Sequence, residues 1–279
     1  MIAIAGGLAA AFLWGSSTVV ASRSTRILGA PLVLAWVLLL GLLLLPVVLV
    51  VDGIPHVSPT TWIWAITAGL AATFGLLMLY RGLRIGRVGV VAPVASTEGA
   101  VAAVLSVVLL GEHVSFAEAL ALLVIVAGVI TVTFHGRRGD VDLTSALYGL
   151  AAACLFGIGL VASSRAGDGL GAGWTIAIAR LIGVAVIVPP LVRGHTFALP
   201  GRALWMVCWS AFAEAAGYAT YIVASRHSIA IAAVLGSQFA AVAAVGSYLA
   251  FGERLSRRQL AGAVVIISGV TLLAVFQSV

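Results

Sequence analysis

Three ionisable side chains lie inside long apolar stretches of the sequence, where an ionised group is costly unless it is paired or hydrated. Glu98 and Glu214 each fall near the middle of such a stretch, and Arg180 falls about two turns into another. A carboxylate in this setting can bind and release a proton, or serve as the counter-ion of a cationic group. The alternative is structural, with a Glu–Arg or Glu–amide pair joining two helices. For Arg180 we prefer this structural role over binding of a substrate carboxylate.

Other polar and aromatic side chains are sparse in the apolar stretches, so the further candidates for substrate or proton contacts are few. Ser96 and Thr97 precede Glu98, and Ser237 and Gln238 stand at the matching depth of a later stretch. Small polar residues at this depth also commonly join helices through hydrogen bonds, and that interpretation stays open. The additional candidates are Trp14, Ser17, Tyr80, Ser96, Thr97, Tyr218, Tyr221, Ser237 and Gln238.

The sequence lacks the common motifs of enzymatic chemistry. None of the five histidines has metal-ligand spacing, and neither a His-Glu-x-x-His motif nor a nucleophile elbow occurs. A G-x-x-x-x-G-K-[ST] loop is also missing, which argues against ATP-driven pumping by this chain alone. We therefore expect no catalytic residue, no metal and no cofactor.

The composition excludes a water-soluble fold. Of the 279 residues, 62% are hydrophobic and 9% are charged, and the mean hydropathy is +1.21. A soluble domain carries about 25% charged residues. All 15 basic residues are arginines, which flank apolar runs and form no continuous stripe. This distribution favours anionic lipid headgroups as partners and argues against nucleic acid.

The apolar runs are long enough to cross a bilayer, which takes about 20 residues per helix. Ten such runs are present, and the connections between them are too short to hold a soluble domain. We therefore predict an all-α integral membrane protein with ten transmembrane helices. The predicted spans are residues 2–22, 31–51, 60–80, 88–110, 115–134, 144–165, 173–192, 202–223, 228–251 and 257–277.

The first half of the sequence recurs in the second half at an offset of 141 residues. Residues 80–112 align with residues 221–253, so that Tyr80 matches Tyr221 and the pair Gly-Glu recurs at the end of each segment. Scattered Ala and Val matches arise easily in so apolar a chain, but Tyr and Gly-Glu in one register do not. The sequence therefore contains an internal duplication.

The duplication predicts the architecture. We expect a first five-helix repeat at residues 1–136, a connector at 137–143 and a second five-helix repeat at 144–279. Because five is odd, the second copy enters the membrane from the opposite face, so the two repeats are inverted. Inverted repeats are typical of secondary transporters, whose substrate site lies near the midplane where the repeats meet.

Several motifs in this duplicated order resemble the EamA-type drug/metabolite transporter superfamily. They are Ala-Phe12-Leu-Trp14-Gly15-Ser16-Ser17 in the first span, Pro93 in the fourth, and Gly-Glu-x-x-Ser at 111–115 and 252–256, each followed downstream by Gly-Val. The resemblance covers essentially the whole chain. It implies ten helices in two inverted repeats, and export or uptake of small metabolites, amino acids or drugs, often coupled to protons.

We therefore expect a secondary active transporter that works by alternating access around a central cavity. Proton-coupled efflux is the mode that we favour, and we expect no enzymatic activity. An intramembrane enzyme or a passive channel built on the same helices is the alternative. The expected partners are a small-molecule substrate, membrane lipid and protons. We expect a monomer or homodimer in the cell membrane, as a multi-pass protein of the bacterial inner membrane.

The arginines predict an orientation that differs from the one implied by the resemblance. Twelve of the 15 arginines fall in loops on one face, and only Arg165 and Arg226 fall on the other. The positive-inside rule places the crowded face in the cytoplasm and both termini outside. The family resemblance implies cytoplasmic termini, so both orientations stay open.

Overall fold

The computed structural model of the chain is helical, and every regular element in the part that it describes is a helix. The described residues are 2–46, 57–98, 100–101, 104–105, 108, 116–133, 139–194, 197–198, 201–225, 236, 238–252 and 257–276. The α-helices are α1 (Ile2–Leu28), α2 (Ala30–Gly41), α3 (Pro59–Ile85), α4 (Val88–Ala95), α5 (Phe116–Thr133), α6 (Gly139–Arg193), α7 (Gly201–Ser225), α8 (Phe239–Phe251) and α9 (Arg257–Phe276). A 3₁₀ turn at Leu42–Leu44 follows α2.

Local sequence explains where the first helices begin. Gly29 separates α1 from α2 with φ 86° and ψ 149°, a conformation that residues with a side chain disfavour. The Ser58 hydroxyl accepts a hydrogen bond from the Thr61 N–H at 3.3 Å and caps α3, whose first residue is Pro59. Serine at the cap and proline at the first helical position are the residues that a helix start favours.

Helix α6 consists of two arms that meet at Gly171. The backbone there has φ 72° and ψ 169°, which interrupts the helix between residues 139–170 and residues 172–193. These arms correspond to the sixth and seventh predicted spans. Because α6 begins at Gly139, residues 139–143 are helical, and the connector at 137–143 between the two repeats stays a prediction.

Four helices in the described part of the chain are long and apolar enough to cross a membrane, which supports a multi-pass membrane protein. They are Ile4–Leu28, Pro59–Ile85, Leu143–Ser163 and Gly173–Arg193. The count of ten spans stays a prediction, because residues 47–56, 109–115 and 226–235 lie outside the described residues within or beside other predicted spans.

The two repeats contact each other reciprocally. A Cβ added to Gly15 would lie 2.9 Å from the carbonyl oxygen of Phe239, and a Cβ added to Gly157 would lie 3.0 Å from the carbonyl oxygen of Glu98. Gly157 follows Gly15 by 142 positions, and Phe239 follows Glu98 by 141. Each repeat therefore places its first helix against the fourth helical segment of the other repeat, as a two-fold relation requires.

A second reciprocal contact joins α5 to α9. A Cβ added to Gly128 would lie 2.9 Å from the Ile266 nitrogen, and one added to Gly269 would lie 3.2 Å from the Ile125 nitrogen. Gly269 follows Gly128 by 141 positions, and Ile266 follows Ile125 by the same offset. Because glycine has no side chain, the two backbones approach closely, as they do where small residues form helix contacts in membranes. The duplication seen in the sequence is thus also present in the packing.

The outer surface of the helix bundle is apolar. Phe116 on α5 is 85% exposed and Leu249 on α8 is 76% exposed, and many other large hydrophobic side chains point outward. A surface of this kind would promote aggregation in water, whereas it suits contact with lipid tails.

Candidate functional site

The fourth helical segment of the first repeat is interrupted immediately before Glu98. The Ser96 hydroxyl donates to the Pro93 carbonyl oxygen at 2.8 Å, and the Thr97 hydroxyl donates to the Val94 carbonyl oxygen at 2.8 Å. These hydroxyls compete with backbone N–H groups for the carbonyls, and the Val94 carbonyl oxygen also accepts from the Thr97 N–H at 3.2 Å. Helix α4 consequently ends two residues before Thr97, and helical geometry resumes at Glu98.

The second repeat has an equivalent interruption at Gln238, where α8 begins. The Gln238 carbonyl oxygen accepts from the third and fourth residues that follow it, at 2.9 and 3.3 Å, and the Thr97 carbonyl oxygen does the same at 3.0 and 3.2 Å. The two side chains differ in their partners. The Thr97 hydroxyl bonds within its own segment, whereas the Gln238 Nε2 donates to the Thr271 hydroxyl at 2.8 Å and so joins the interruption to α9. Ser237 lies outside the described residues.

Glu214 on α7 faces Ser17 on α1. The Ser17 hydroxyl lies 3.4 Å from the Glu214 Oε1 and 3.5 Å from the Ser210 carbonyl oxygen, so it shares one long hydrogen bond between two acceptors. Both acceptors belong to the second repeat, and the donor belongs to the first. The carboxylate therefore lies at the contact between the repeats.

Arg180 is buried on the second arm of α6, with 7% of its surface exposed. Its side chain packs against α2, where a Cβ added to Gly41 would lie 3.2 Å from the Arg180 Nε. The positive charge interacts electrostatically with Glu214 and Tyr80. Among the described side chains, however, no carboxylate lies within 4 Å of the guanidinium. Glu214 and Arg180 therefore form no direct ion pair, and the structural role preferred for Arg180 from the sequence stays a prediction.

Three aromatic rings form one wall of this region. The ring of Trp14 lies 5.3 Å from that of Tyr218 at an interplanar angle of 72°, and 5.8 Å from that of Tyr221 at 41°. Two glycines make room for the indole. A Cβ on Gly217 would lie 2.5 Å from the Trp14 Nε1, and one on Gly236 would lie 3.4 Å from the Trp14 Cζ3.

Tyr80 on α3 presents a buried hydroxyl to the same region. The residue is 1% exposed, and its hydroxyl has no hydrogen-bond partner among the described residues. It interacts electrostatically with both Glu214 and Arg180. A buried donor without a partner costs free energy, so a ligand or water that accepted this hydrogen bond would be stabilised there.

Glu98 completes the group of charged residues. It interacts electrostatically with Glu214, Tyr218 and Tyr221. Within the described part of the chain its carboxylate has neither a hydrogen bond nor an ion pair. Glu98 and Glu214 are both half-buried.

Contacts or electrostatic interactions thus link most of the residues that the sequence singled out. These are Trp14, Ser17, Tyr80, Glu98, Arg180, Glu214, Tyr218 and Tyr221, which we call the central cluster. The other described candidates form hydrogen bonds that shape the helices. Ser96 and Thr97 bond within their own segment, and Gln238 bonds to α9.

Sequence reasoning missed Gly217, which gives Trp14 its place. The duplication contains the signal that could have found it. Gly75 stands 142 positions earlier, and a Cβ there would lie 2.6 Å from the ring of Phe156, the residue that matches Trp14. The sequence contained no comparable signal for Thr271, the hydrogen-bond partner of Gln238.

A groove on the outer surface lies apart from the central cluster. It is lined by Val20, Trp205, Cys208, Trp209 and Phe212, on α1 and α7. Trp205 and Phe212 are each 59% exposed, so the groove faces the lipid side of the bundle. It holds none of the charged candidates, and we assign the site to the central cluster.

Comparison with known proteins agrees with the duplicated architecture. The sequence profile of the EamA-like transporter family matches residues 1–134 and again residues 143–275. A solved crystal structure of another protein superposes with a TM-score of 0.70. The superposition covers 99% of this chain and 97% of that chain at 17% identity, which shows a shared fold. No curated protein sequence gives a significant match.

Proposed function

The chain belongs to the EamA-like transporter family, and we propose that it is a secondary transporter that moves a small metabolite, amino acid or drug-like molecule across the cell membrane. One observation carries the proposal. Glu98 from the first repeat interacts electrostatically with Glu214 from the second, and Glu214 interacts with Arg180, beside the interrupted fourth segment of an otherwise apolar bundle. Polar groups at the meeting place of two repeats, beside broken helices, are the usual setting of a transported ligand.

The way the repeats share the cluster supports alternating access as the mechanism. Trp14 and Ser17 come from the first repeat and contact Tyr218 and Glu214 of the second. A relative movement of the repeats therefore opens the cluster to one side of the membrane and closes it to the other. We propose that the repeats are inverted, so that the outward-open and inward-open states use equivalent movements.

Proton coupling is assigned to Glu98. Its carboxylate lacks a described partner that would hold one protonation state, in contrast to Glu214, which accepts from Ser17. Water reaches the cluster when it is open and leaves it when it is occluded, and an ionised carboxylate is far more costly in the occluded state. Glu98 thereby exchanges protons as the cluster alternates, and an inward pH gradient drives efflux of the substrate.

The test uses purified protein in proteoliposomes, screened with radiolabelled metabolites and a trapped pH-sensitive dye. Wild-type protein should accumulate a solute under a pH gradient and should also exchange labelled for unlabelled solute without one. Glu98→Gln retains size and hydrogen bonding but cannot titrate, so it should keep exchange and lose accumulation. Asp168→Asn is the matched control, because Asp168 is exposed and lies outside the central cluster.

Each alternative gives a different result in the same vesicles. A channel would show flux that unlabelled solute on the opposite side does not accelerate. An enzyme would return a chemically altered compound. If Glu98→Gln still accumulates solute under the pH gradient, coupling lies elsewhere and Glu214 becomes the candidate.

A further inference from the structure

Arg180 is the only charged side chain among the buried residues that the structure describes. A guanidinium has five N–H donors, yet this one forms neither a hydrogen bond nor an ion pair within the described part of the chain. Glu214 interacts with it electrostatically but accepts its hydrogen bond from Ser17 instead. Because a buried guanidinium without acceptors is costly, a group that supplied them would be stabilised there.

The guanidinium borders space that a ligand can reach. In the described part of the chain, the fully enclosed polar side-chain atoms that lack a partner belong to Trp14, Trp36, Thr73, Tyr80 and Ser210. The nitrogens of Arg180 lack a partner too, but they are not in this group, so they are not fully enclosed. The 7% of the residue that remains exposed therefore includes its nitrogens.

Two glycines fix Arg180 between helices α2 and α3. A Cβ added to Gly41 of α2 would lie 3.2 Å from both the Cδ and the Nε of Arg180, so the side chain contacts the bare backbone of that helix. On the other side, a Cβ added to Gly69 of α3 would lie 3.1 Å from the Cα of Ala179, the residue before Arg180. The guanidinium is thereby positioned before any ligand arrives, which lowers the entropic cost of binding.

The two helices that flank Arg180 present no negative charge to an incoming ligand. Neither α2 nor α3 contains an acidic residue. Thr73 of α3 stands 141 positions before Glu214, and its Oγ1 would lie 2.7 Å from a Cβ added to Gly183, about one helical turn from Arg180. The first repeat therefore places a neutral hydroxyl beside Arg180 where the second repeat has a carboxylate.

A carboxylate is the group that fits this setting. The planar fork of a guanidinium matches the two oxygens of a carboxylate in a bidentate pair. A phosphomonoester carries about 1.5 to 2 negative charges and would need a further cation, and the buried residues of the described chain include none besides Arg180.

We infer that Arg180 binds the carboxylate of the transported molecule, between α2, α3 and the second arm of α6. This inference rests on the proposed transport function and names the chemical class of its substrate, a molecule with one carboxylate. Binding replaces the structural role that the sequence favoured for Arg180, because no described residue accepts a hydrogen bond from the guanidinium.

Binding is measured first, without transport, on the full-length chain in lipid nanodiscs by titration calorimetry in a chloride-free buffer. The probes are isovalerate, benzoate and phenylacetate, each compared with its primary amide, which has nearly the same shape without the charge. Sodium chloride is the probe for a free inorganic anion. At least one carboxylate should bind, and it should bind at least about tenfold more tightly than its amide or chloride does.

Variants of Arg180 then locate the carboxylate. Arg180→Gln should weaken carboxylate binding by at least about tenfold and leave amide binding unchanged. Arg180→Lys keeps the charge without the planar fork, so its affinity should fall between those of the wild type and the glutamine variant. Arg193→Gln is the matched control and should bind as the wild type does, because Arg193 is exposed at the end of the same arm of α6.

Gly41→Ala tests the site without removing any charge, and it decides the result if Arg180→Gln does not fold. Gly41 has φ −62° and ψ −26°, so alanine suits the backbone there. The added methyl group would crowd the Cδ and Nε of Arg180 and shift the guanidinium. Carboxylate affinity should fall by at least about threefold, because the bidentate pair depends on geometry, while amide affinity should not change.

Three results would overturn the inference. The first is that no carboxylate binds, and the second is that an amide or chloride binds as well as the carboxylates do. The third is that carboxylate affinity is unchanged in folded Arg180→Gln or, where that variant does not fold, in Gly41→Ala.

Flux in proteoliposomes separates this inference from the proposed function. If a solute without a carboxylate is accumulated and no carboxylate is, the chain is a transporter and the carboxylate assignment is wrong. If carboxylates bind through Arg180 but no solute crosses the vesicle membrane, the binding site stands and the transport function is wrong.

Discussion

Phe239 holds in the second repeat the position that Glu98 holds in the first, and the backbone carbonyl of each faces a glycine of the opposite repeat. The packing of the two repeats is therefore equivalent at this place, while the side chains differ completely. Only the first repeat contributes a carboxylate there. The duplicated fold is therefore preserved at this contact, while the central cluster receives a carboxylate from only one of the two repeats.

The two glycines that face these carbonyls should be equally intolerant of a side chain. A Cβ on Gly15 would lie 2.6 Å from the Val242 Cβ, and one on Gly157 would lie 2.7 Å from the Val101 Cβ. We expect Gly15→Ala and Gly157→Ala each to lower the free energy of unfolding by about 1–3 kcal/mol, measured by thermal unfolding in detergent. Unequal effects on the two positions would argue against a reciprocal contact.

Gly167→Ala is the control for that experiment. Gly167 lies on the first arm of α6, and an added Cβ would meet no atom within 4 Å. Because alanine favours a helix over glycine by up to about 1 kcal/mol, this variant should be unchanged or slightly stabilised. A loss of stability at Gly167 similar to that at Gly15 would show that helix geometry, and not contact with the other repeat, is responsible.

The hydrogen bond between Gln238 and Thr271 should couple the interruption of the second repeat to α9. Gln238→Ala and Thr271→Val should each lower stability, and the double variant should lose less than the sum of the two. The coupling free energy should be about 0.5–1.5 kcal/mol, as for a typical neutral hydrogen bond. Additive losses would mean that the bond contributes nothing to folding.

Gly236 should accept a small side chain and reject a large one. Its added Cβ would lie 3.4 Å from the Trp14 Cζ3 and 3.7 Å from the Tyr221 Cδ2, which is ordinary contact distance for a methyl group. Gly236→Ala should therefore transport nearly as the wild type does. Gly236→Leu should abolish transport or folding, as uptake and size-exclusion profiles will show. Normal uptake by the leucine variant would place this position away from the site.

The orientation of the chain is tested by a reporter fused after Val279. If the arginine asymmetry governs insertion, both termini lie outside, and a periplasmic reporter such as alkaline phosphatase should be active. Activity of a cytoplasmic reporter instead would show that the chain follows the orientation implied by the family resemblance. Moving arginines from the crowded face to the other face should then have no effect on the result.

Much of the fold follows from the sequence because its signals are local or repetitive. Runs of about 20 apolar residues predict helices that cross a bilayer, and the offset of 141 residues predicts two equivalent halves. Gly29 and Pro59 mark helix boundaries through backbone geometry alone. The sequence also singled out Glu98 and Glu214, because ionisable groups are rare and costly inside apolar helices.

The sequence by itself determined a duplicated membrane protein with a few buried polar groups, and only the tertiary structure decided how those groups combine. Helical periodicity specifies which residues share a face of one helix, but not which helices meet or at what depth. The partnership of Ser17 with Glu214, separated by 197 positions, depends on such a meeting of α1 with α7. The same holds for Arg180, which packs against Gly41 of α2 and stands apart from any carboxylate of the described residues.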